Sequence, residues 1–427
     1  MQQLHLPRPY FAFADLVEPL RDVVALRFDL LHLQHRSMLG RSSLPIEAAA
    51  QMPTLLLELE AAVEGIAGLP GLRSALELGG EAPAIQRILE EDAWYVVVLD
   101  RVGIPARLYR APDTADFEKV AVADIQYLEV HDVEQLAELH RIGQAGETDA
   151  NTIAGLLGLG CDLACLACYD VGQGSCNALC SDRGHPQIYF DLGGGALSHS
   201  RTYPASFRVC HSDRQAVVLS HWDIDHWITG QKDAASLDHP WIVPNQSVGP
   251  THLKFASRLY KRGNLHIWPS ALATRTVGAV EVLRCNGKSR NDSGLSAIVR
   301  VRDGSGGELP VLLPGDARYS HIPVRAGTSF GGLVASHHGA ASSGQPPLSQ
   351  NPARLVYAYG VGNTYGHPHS KALSQHSSAG WSQVYHAPQG SAIVAPPSTP
   401  APLKPPCQCA ACDPCCSLAC SLLLTQP

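Results

Sequence analysis

The chain has 427 residues, 17% of them charged and 45% hydrophobic, with a net charge of −7, which exceeds one average domain and excludes disorder throughout. No uninterrupted apolar stretch reaches the roughly 18 residues of a membrane span: the nearest, 154–169, is broken by Asp162, and the opening MQQLHLPRPY lacks a basic-then-apolar leader. A cytoplasmic protein with no membrane partner is therefore expected, its thirteen cysteines read as reduced thiols or metal ligands.

Charge is unevenly spread. Residues 1–150 carry 12 Lys and Arg against 24 Asp and Glu, a net of −12, whereas the remainder carries 20 against 15, a net of +5. Such asymmetry marks two units with different surfaces. The first 90 residues read mostly as helix: from Pro45, IEAAAQMPTLLLELEAAVEGIAG places apolar residues at helical spacing until GLPG breaks it, and APAIQRILEEDA follows. WYVVVLDRVG, ARLYRA and VADIQYLEV then read as strands, and VEQLAELHRIG as helix. Residues 1–150 thus predict an acidic, mostly helical α+β domain. Among its histidines, His32, His35, His131 and His140 have no companions that complete a site, and a partner-binding or regulatory role is expected for it.

From about Cys165 the texture changes to apolar runs ended by glycine turns: CLACYDVGQGSCNALC, QIYFDLGGGA, RQAVVLSHWDIDHW, LSAIVRVRD, LPVLLPGDA, GGLVASHHG, ARLVYAYG and SAIVAPP. Short strands in this number predict stacked sheets, with helices at THLKFASRLYKRG and SKALSQHSSAGW. The second domain is placed at 165–395. Beyond it, 396–427 is a Pro/Cys-rich tail whose Cys407, Cys409, Cys412, Cys415, Cys416 and Cys420 have zinc-like spacings but no histidine; a tail without structure is expected there. Cys161, Cys165, Cys168, Cys176 and Cys180 are expected as small core residues. A phosphate-loop fragment, NGKS at 286–289, fails because Val282 stands where the pattern needs glycine.

The strongest chemical signal is HWDIDH, His221 to His226, after the apolar run AVVL. Two imidazoles and two carboxylates within six residues supply nitrogen and oxygen donors for divalent metals. Asp316 in VLLPGDA and His337–His338 in LVASHHG also follow apolar strands, while Asp170 and Asp191 end strands before glycines. Several strand ends presenting His or Asp are what a dinuclear centre requires.

The ordered motifs DVGQG (170–174), FDLGGG (190–195), SHWDIDH (220–226), NDSGL (291–295), LLPGDA (312–317), ASHHG (335–339) and GNTYGHP (362–368) resemble the metallo-β-lactamase fold superfamily. Within it they are similar to the hydrolase domain of competence proteins of the ComEC type. The resemblance covers roughly 165–395 and implies an αββα sandwich with two divalent ions at one sheet edge. Mapped here, it gives the first ion His221 and Asp223. The second takes Asp225, His226 and one of His337 and His338, with His337 favoured, and Asp316 bridges the two. Asp170 and Asp191 would orient ligating histidines. Asn291 and Asp292 stand where the wider superfamily usually has another histidine ligand, as Asp223 stands for one. Oxygen donors shift preference towards harder ions, so zinc is expected first and manganese as the alternative.

In that mapping Asp225 accepts or orients the proton of the attacking water, and His367 donates to the leaving group or binds a phosphate oxygen. Trp222 and Trp227 flank the ligands as site wall rather than as a stacking surface. The expected function is a metal-dependent phosphodiester hydrolase, with a nuclease as its polymer-cleaving form. The local +7 at 251–325, 12 basic residues against 5 acidic, suits an anionic substrate such as nucleic acid. Two alternatives stay open: a hydrolase of small esters, lactones or phosphates, and a non-catalytic module of a multi-protein system.

Overall fold

The computed structural model describes residues 7–20, 23–38, 46–49, 51–76, 89–158, 163, 165–181, 185–205, 207–211, 215–302, 308–387 and 420–424. The chain is mixed α+β and divides into two compact units, one of residues 1–145 with 247–258, the other of 146–246 with 259–427. Among the described residues, no helix is long and apolar enough to cross a membrane.

The first unit is built on strands, which corrects the mostly helical expectation. β1 (Arg8–Pro19), β2 (Val24–His32), β3 (Thr54–Ala61), β4 (Trp94–Asp100), β5 (Ile104–Tyr109) and β6 (Phe117–Tyr127) close into a barrel in the order β1–β2–β3–β5–β6–β4. Ala12 of β1 faces Leu30 of β2 on one side and Tyr95 of β4 on the other, so the sheet has no free edge there. Alternate side chains fill the interior, among them Tyr10, Ala12, Phe28, Leu30, Val97 and Leu99.

Among the described residues, the segment expected as one helix after Pro45 is helix only at Ile46–Ala49 and Val63–Ala67, with β3 between, and a further helix, Pro70–Leu76, follows in the GLPG break. Its leucine run satisfies periods of 3.6 and 2 alike. Pro53 stops helix upstream, and backbone pairing on both sides, Leu26 with Leu59 and Leu57 with Leu108, settles the strand. The helix expected at 82–93 falls largely outside the described residues. Helix Pro250–Lys261 is formed as expected, but its residues to 258 belong with the barrel. There Asp29 caps it, accepting from Thr251 N–H at 2.6 Å and Thr251 Oγ1 at 2.9 Å. Asp15 takes His252 Nε2 at 2.7 Å and Arg27 Nε at 2.6 Å.

The second unit holds two seven-stranded sheets. Its strands are β7 (Cys165–Tyr169), β8 (Cys176–Cys180), β9 (Pro186–Leu192), β10 (Ala216–Val218), β11 (Trp241–Val243), β12 (Leu265–Ile267), β13 (Thr274–Val277), β14 (Val280–Arg284), β15 (Leu295–Arg302), β16 (Glu308–Leu313), β17 (Ser329–Val334), β18 (Leu348–Tyr357), β19 (Gln383–His386) and β20 (Cys420–Leu424). One sheet runs β12–β11–β10–β9–β8–β7–β20 and the other β13 to β19 in sequence order. They share one core: Leu166, Ile188, Phe190, Val218 and Ile242 of the first pack with Val282, Val299, Val311, Val334 and Val356 of the second. On its other face the second sheet buries Ile298, Leu312, Leu333 and Leu355 with Tyr319 and Trp381. Burial on both faces explains why these strands read as continuous apolar runs.

The tail contributes β20, which pairs with β7, where no structure was expected. The strand expected at SAIVAPP, the linker after it and Cys407 to Cys416 lie outside the described residues, as do Cys161 and the Cys165 side chain. Cys168, Cys176 and Cys180 are buried.

Candidate metal centre

Strands β9 to β12 are mutually parallel, and so are β16 to β19. Parallel strands gather their carboxyl ends, and the loops that follow them, along one edge. His221 and Asp223 follow β10. Asp225 and His226 open the helix Ile224–Lys232, and Asp316, His337–His338 and His367 follow β16, β17 and β18. The loops meet: Leu295 N–H donates to Ser220 O at 2.6 Å, and His337 N–H to Gly315 O at 3.2 Å. Close approach demands glycine. A Cβ on Gly193 would lie 1.7 Å from the Asp225 carbonyl oxygen, which accepts from Ser175 N–H and Gly194 N–H at 3.1 and 2.9 Å.

Two sets of donor atoms, His221 with His226 and Asp316, and Asp225 with His226 and His338, each lie within 4.8 Å of one another. His226 Nε2 stands 3.2 Å from Asp316 Oδ1, His338 Nε2 3.2 Å from Asp225 Oδ2 and 3.7 Å from Asp316 Oδ2, and His221 Nε2 3.3 Å from Asp223 Oδ2. Atoms ligating one ion tetrahedrally at 2.0–2.2 Å are about 3.4 Å apart. The spacing fits a divalent cation.

The hydrogen bonds behind the rings assign their tautomers. His338 Nδ1 meets the Ala358 carbonyl at 2.8 Å and His226 Nδ1 meets Asp191 Oδ2 at 2.8 Å; both acceptors require N–H. Ser220 Oγ donates to Asp191 Oδ2 at 2.9 Å and so accepts from His221 Nδ1, also at 2.9 Å. With Nδ1 carrying its own N–H, each imidazole turns Nε2 towards carboxylate oxygens, where it takes either a second proton or a cation. These three Nε2 atoms are buried and carry no hydrogen bond. Lone pair facing lone pair is repulsive unless positive charge lies between them.

The electrostatics agree. Burial works against charge on His226 and His338, yet Asp316 with Asp191 for the first, and Asp316 with Asp225 for the second, hold both imidazoles above the usual histidine range. Burial likewise opposes the Asp316 and Asp225 carboxylates, and the neighbouring imidazoles outweigh it and hold both below the usual range. A field that favours a proton on Nε2 favours a divalent cation competing for the same lone pair.

Backbone strain concentrates here. Asp191 (φ 63°), His337 (φ 48°) and His338 (φ 56°) are left-handed non-glycine residues, a conformation costing about 1–3 kcal/mol each and found where surrounding structure over-determines it.

The remaining predicted residues divide. Asp191 orients His226 and Ser220, whereas Asp170 Oδ1 accepts from Gly172 N–H at 3.1 Å in its own loop. His338, not the favoured His337, closes the set with Asp225; His337 Nε2 is 3.7 Å from Asp316 Oδ2 and its side chain is 14% exposed. Asp292 turns to Arg318, accepting from its N–H and Nε at 2.8 Å each, which anchors the loop after Asp316. Asn291 Oδ1 is buried without a hydrogen bond. His367 is buried, its ring 5.5 Å from that of His337 and 6.1 Å from that of His338. Burial, reinforced by those two histidines, holds it well below the usual range, so it offers one neutral N–H rather than a charged acid. His369 caps helix Ser370–Ser378 through Lys371 N–H at 3.1 Å. Trp222 and Trp227 are fully buried, and Trp222 Nε1 donates to Pro244 O at 3.1 Å, so they form wall.

Sequence reasoning missed Ser220, quoted within its motif without a role, and Arg290. Arg290 is 3% exposed and its Nε lies 2.7 Å from Asp223 Oδ1; the signal available was a cation directly before NDSGL. No family model, no curated protein and no solved structure matches the chain.

Proposed function

We propose that the chain is a metal-dependent hydrolase of the metallo-β-lactamase fold superfamily, its two sheets and flanking helices forming an αββα sandwich. The observation that supports this is the convergence of three buried, bare imidazole nitrogens with Asp225 and Asp316 at one sheet edge. Asp225, His226, His338, Asp316 and His221 would hold divalent ions, zinc first and manganese as the alternative. When bound, such an ion acidifies ligated water towards neutral pH and stabilises charge developing on the substrate. Asp191, Ser220 and the Ala358 carbonyl hold the imidazoles in the ligating tautomer. Asp225, whose side chain keeps 19% exposure, is placed to accept or orient the water proton. His367, neutral and beside His337 and His338, donates a hydrogen bond to the leaving group or to a phosphate oxygen.

A phosphodiester is the substrate class we favour, with nucleic acid as the polymeric case. Incubation of the full chain with single- and double-stranded DNA and RNA, and with bis(p-nitrophenyl) phosphate, in Zn²⁺ or Mn²⁺ tests it. Cleavage no greater than that of an Asp225→Ala, His338→Ala variant in every case would remove this function.

One observation favours a small ester, lactone or phosphate instead. Within the basic stretch Arg262, Arg290, Arg300 and Arg318 are ion-paired with Asp238, Asp223, Glu281 and Asp292. Lys254 and Arg258 belong with the barrel. A chromogenic ester and lactone panel separates the two, and a polyanion shows itself by activity that falls steeply with salt.

A further inference from the structure

We infer that the two cation positions are unequal by construction: Asp225, His226, His338 and Asp316 hold one ion tightly, and Arg290, by engaging Asp223, keeps the position beside His221 weak. This rests on the metal-dependent reading above and concerns the division of labour within that centre.

The argument begins with His226. Both donor sets draw on it, but its Nδ1 is committed to Asp191 at 2.8 Å, leaving a single lone pair. One imidazole nitrogen ligates one ion. Given to the Asp225 side, His226 closes a set of three with Asp225 and His338, and Asp316, whose Oδ2 lies 3.7 Å from His338 Nε2, stands beside it as the fourth donor. That is the closed number a tetrahedral ion takes.

The other position keeps His221 and whatever Asp316 shares; Asp316 Oδ2 is 3.9 Å from His221 Nε2. Two carboxylates stand near enough in sequence to complete it, and both are held by guanidinium groups. Asp223 caps the helix Ile224–Lys232 without a side-chain cap bond, so its carboxylate is not spent there. Its Oδ1 faces Arg290 Nε at 2.7 Å in an ion pair, with both side chains 5% exposed or less, while its Oδ2 stays 3.3 Å from His221 Nε2, so the guanidinium weakens Asp223 as a donor without removing it. Asp292 is taken by Arg318, Oδ2 to Nη2 at 2.6 Å. Arg290 is itself fixed, its carbonyl accepting from Gln246 Nε2 at 2.6 Å. A guanidinium is charged at every working pH, so the carboxylate facing it is part-neutralised as a donor, and the fixed positive charge repels a second ion close by.

Calorimetric titration of metal-stripped full-length chain with Zn²⁺ or Mn²⁺ alone, with bound metal counted by mass spectrometry, reads this directly. One tight ion is expected, with a second at least about 10-fold weaker, the lower bound for changes around a ligand shell. Arg290→Met should tighten the weaker ion, or create it, by about 10- to 100-fold and leave the tight one unchanged. Should Arg290→Met fail to fold by circular dichroism, Asp223→Asn decides: the inference expects both affinities to change by less than about 10-fold, whereas a true Asp223 ligand would cost the weaker ion more than that. Two ions of equal affinity in the unaltered chain, or no response to Arg290→Met in a folded variant, would overturn the inference and leave the hydrolase reading standing. No bound ion at all would remove both.

Discussion

Each unit buries aspartates beside histidine, and the two use them in opposite ways. In the barrel unit, Asp15 and Asp29 are fully buried and each carboxylate oxygen has a donor: Arg27 Nε and His252 Nε2 for one, Thr251 N–H and Oγ1 for the other. In the sheet unit, His221, His226 and His338 present buried nitrogens with no hydrogen bond, on loops that include left-handed backbone at His337 and His338. Satisfied buried charge is a device for holding an element, here the helix from Pro250. Unsatisfied buried nitrogens beside a strained loop cost stability, and their persistence together points to a ligand.

The comparison breaks most sharply at Asp316 and Asp15. Asp316→Asn should abolish the proposed hydrolysis and weaken the tight ion by more than the 10- to 100-fold that supporting residues command, while costing the metal-free protein less in urea than the loss of Asp15 costs. A large loss of metal-free stability would show that Asp316 is structural. Asp15→Ala should do the reverse, costing about 3–5 kcal/mol of unfolding free energy by stranding Arg27, with metal affinity intact. Denaturant titration with metal counting measures both.

Acid offers a third way to separate the units. Burial pushes His140 of the barrel unit down to about 4, its Nδ1 donating to Leu136 O and its Nε2 carrying no hydrogen bond. A depressed histidine contributes stability in full above its unfolded value near 6.5, lost as pH falls through the folded value. Between pH 6.5 and 4 the barrel unit should therefore lose about 3 kcal/mol, and His140→Phe should flatten that slope. An unchanged slope in the variant would assign the loss elsewhere. The smallest effect belongs to His369→Ala, which removes a helix cap in the sheet unit for about 1 kcal/mol and should leave metal binding unaltered. A change in metal affinity there would mean that the segment from His367 to His369 acts at the centre itself.

Legibility in the sequence followed the range of the interactions. The strands at 94–100 and 104–109, the second half of the strand at 117–127, and the helices from Pro250 and Ser370 were visible because their periodicity is local. The barrel strand Thr54–Ala61 was not, since a leucine run with two glutamates fits helix and strand equally and only its two partners decide. The preference for His337 over His338 failed to anticipate the geometry for a similar reason. Adjacent histidines are equivalent on paper, and the left-handed turn together with the Ala358 carbonyl selects which ring faces Asp225. Arg290 stayed hidden because its partner is 67 positions upstream in the numbering of this chain.

By itself, then, the order of residues determined that His and Asp would stand at the ends of apolar strands. Donor type and strand-end placement are written within a few positions of each other, in HWDIDH, PGDA and SHHG. Which nitrogen faces inward, that His226 has one lone pair for two candidate positions, and that Asp223 is met by a guanidinium were decided only by the tertiary structure. Tautomers, ligand sharing and charge neutralisation depend on atoms brought within about 3 Å by folding, and chain separation carries no information about them.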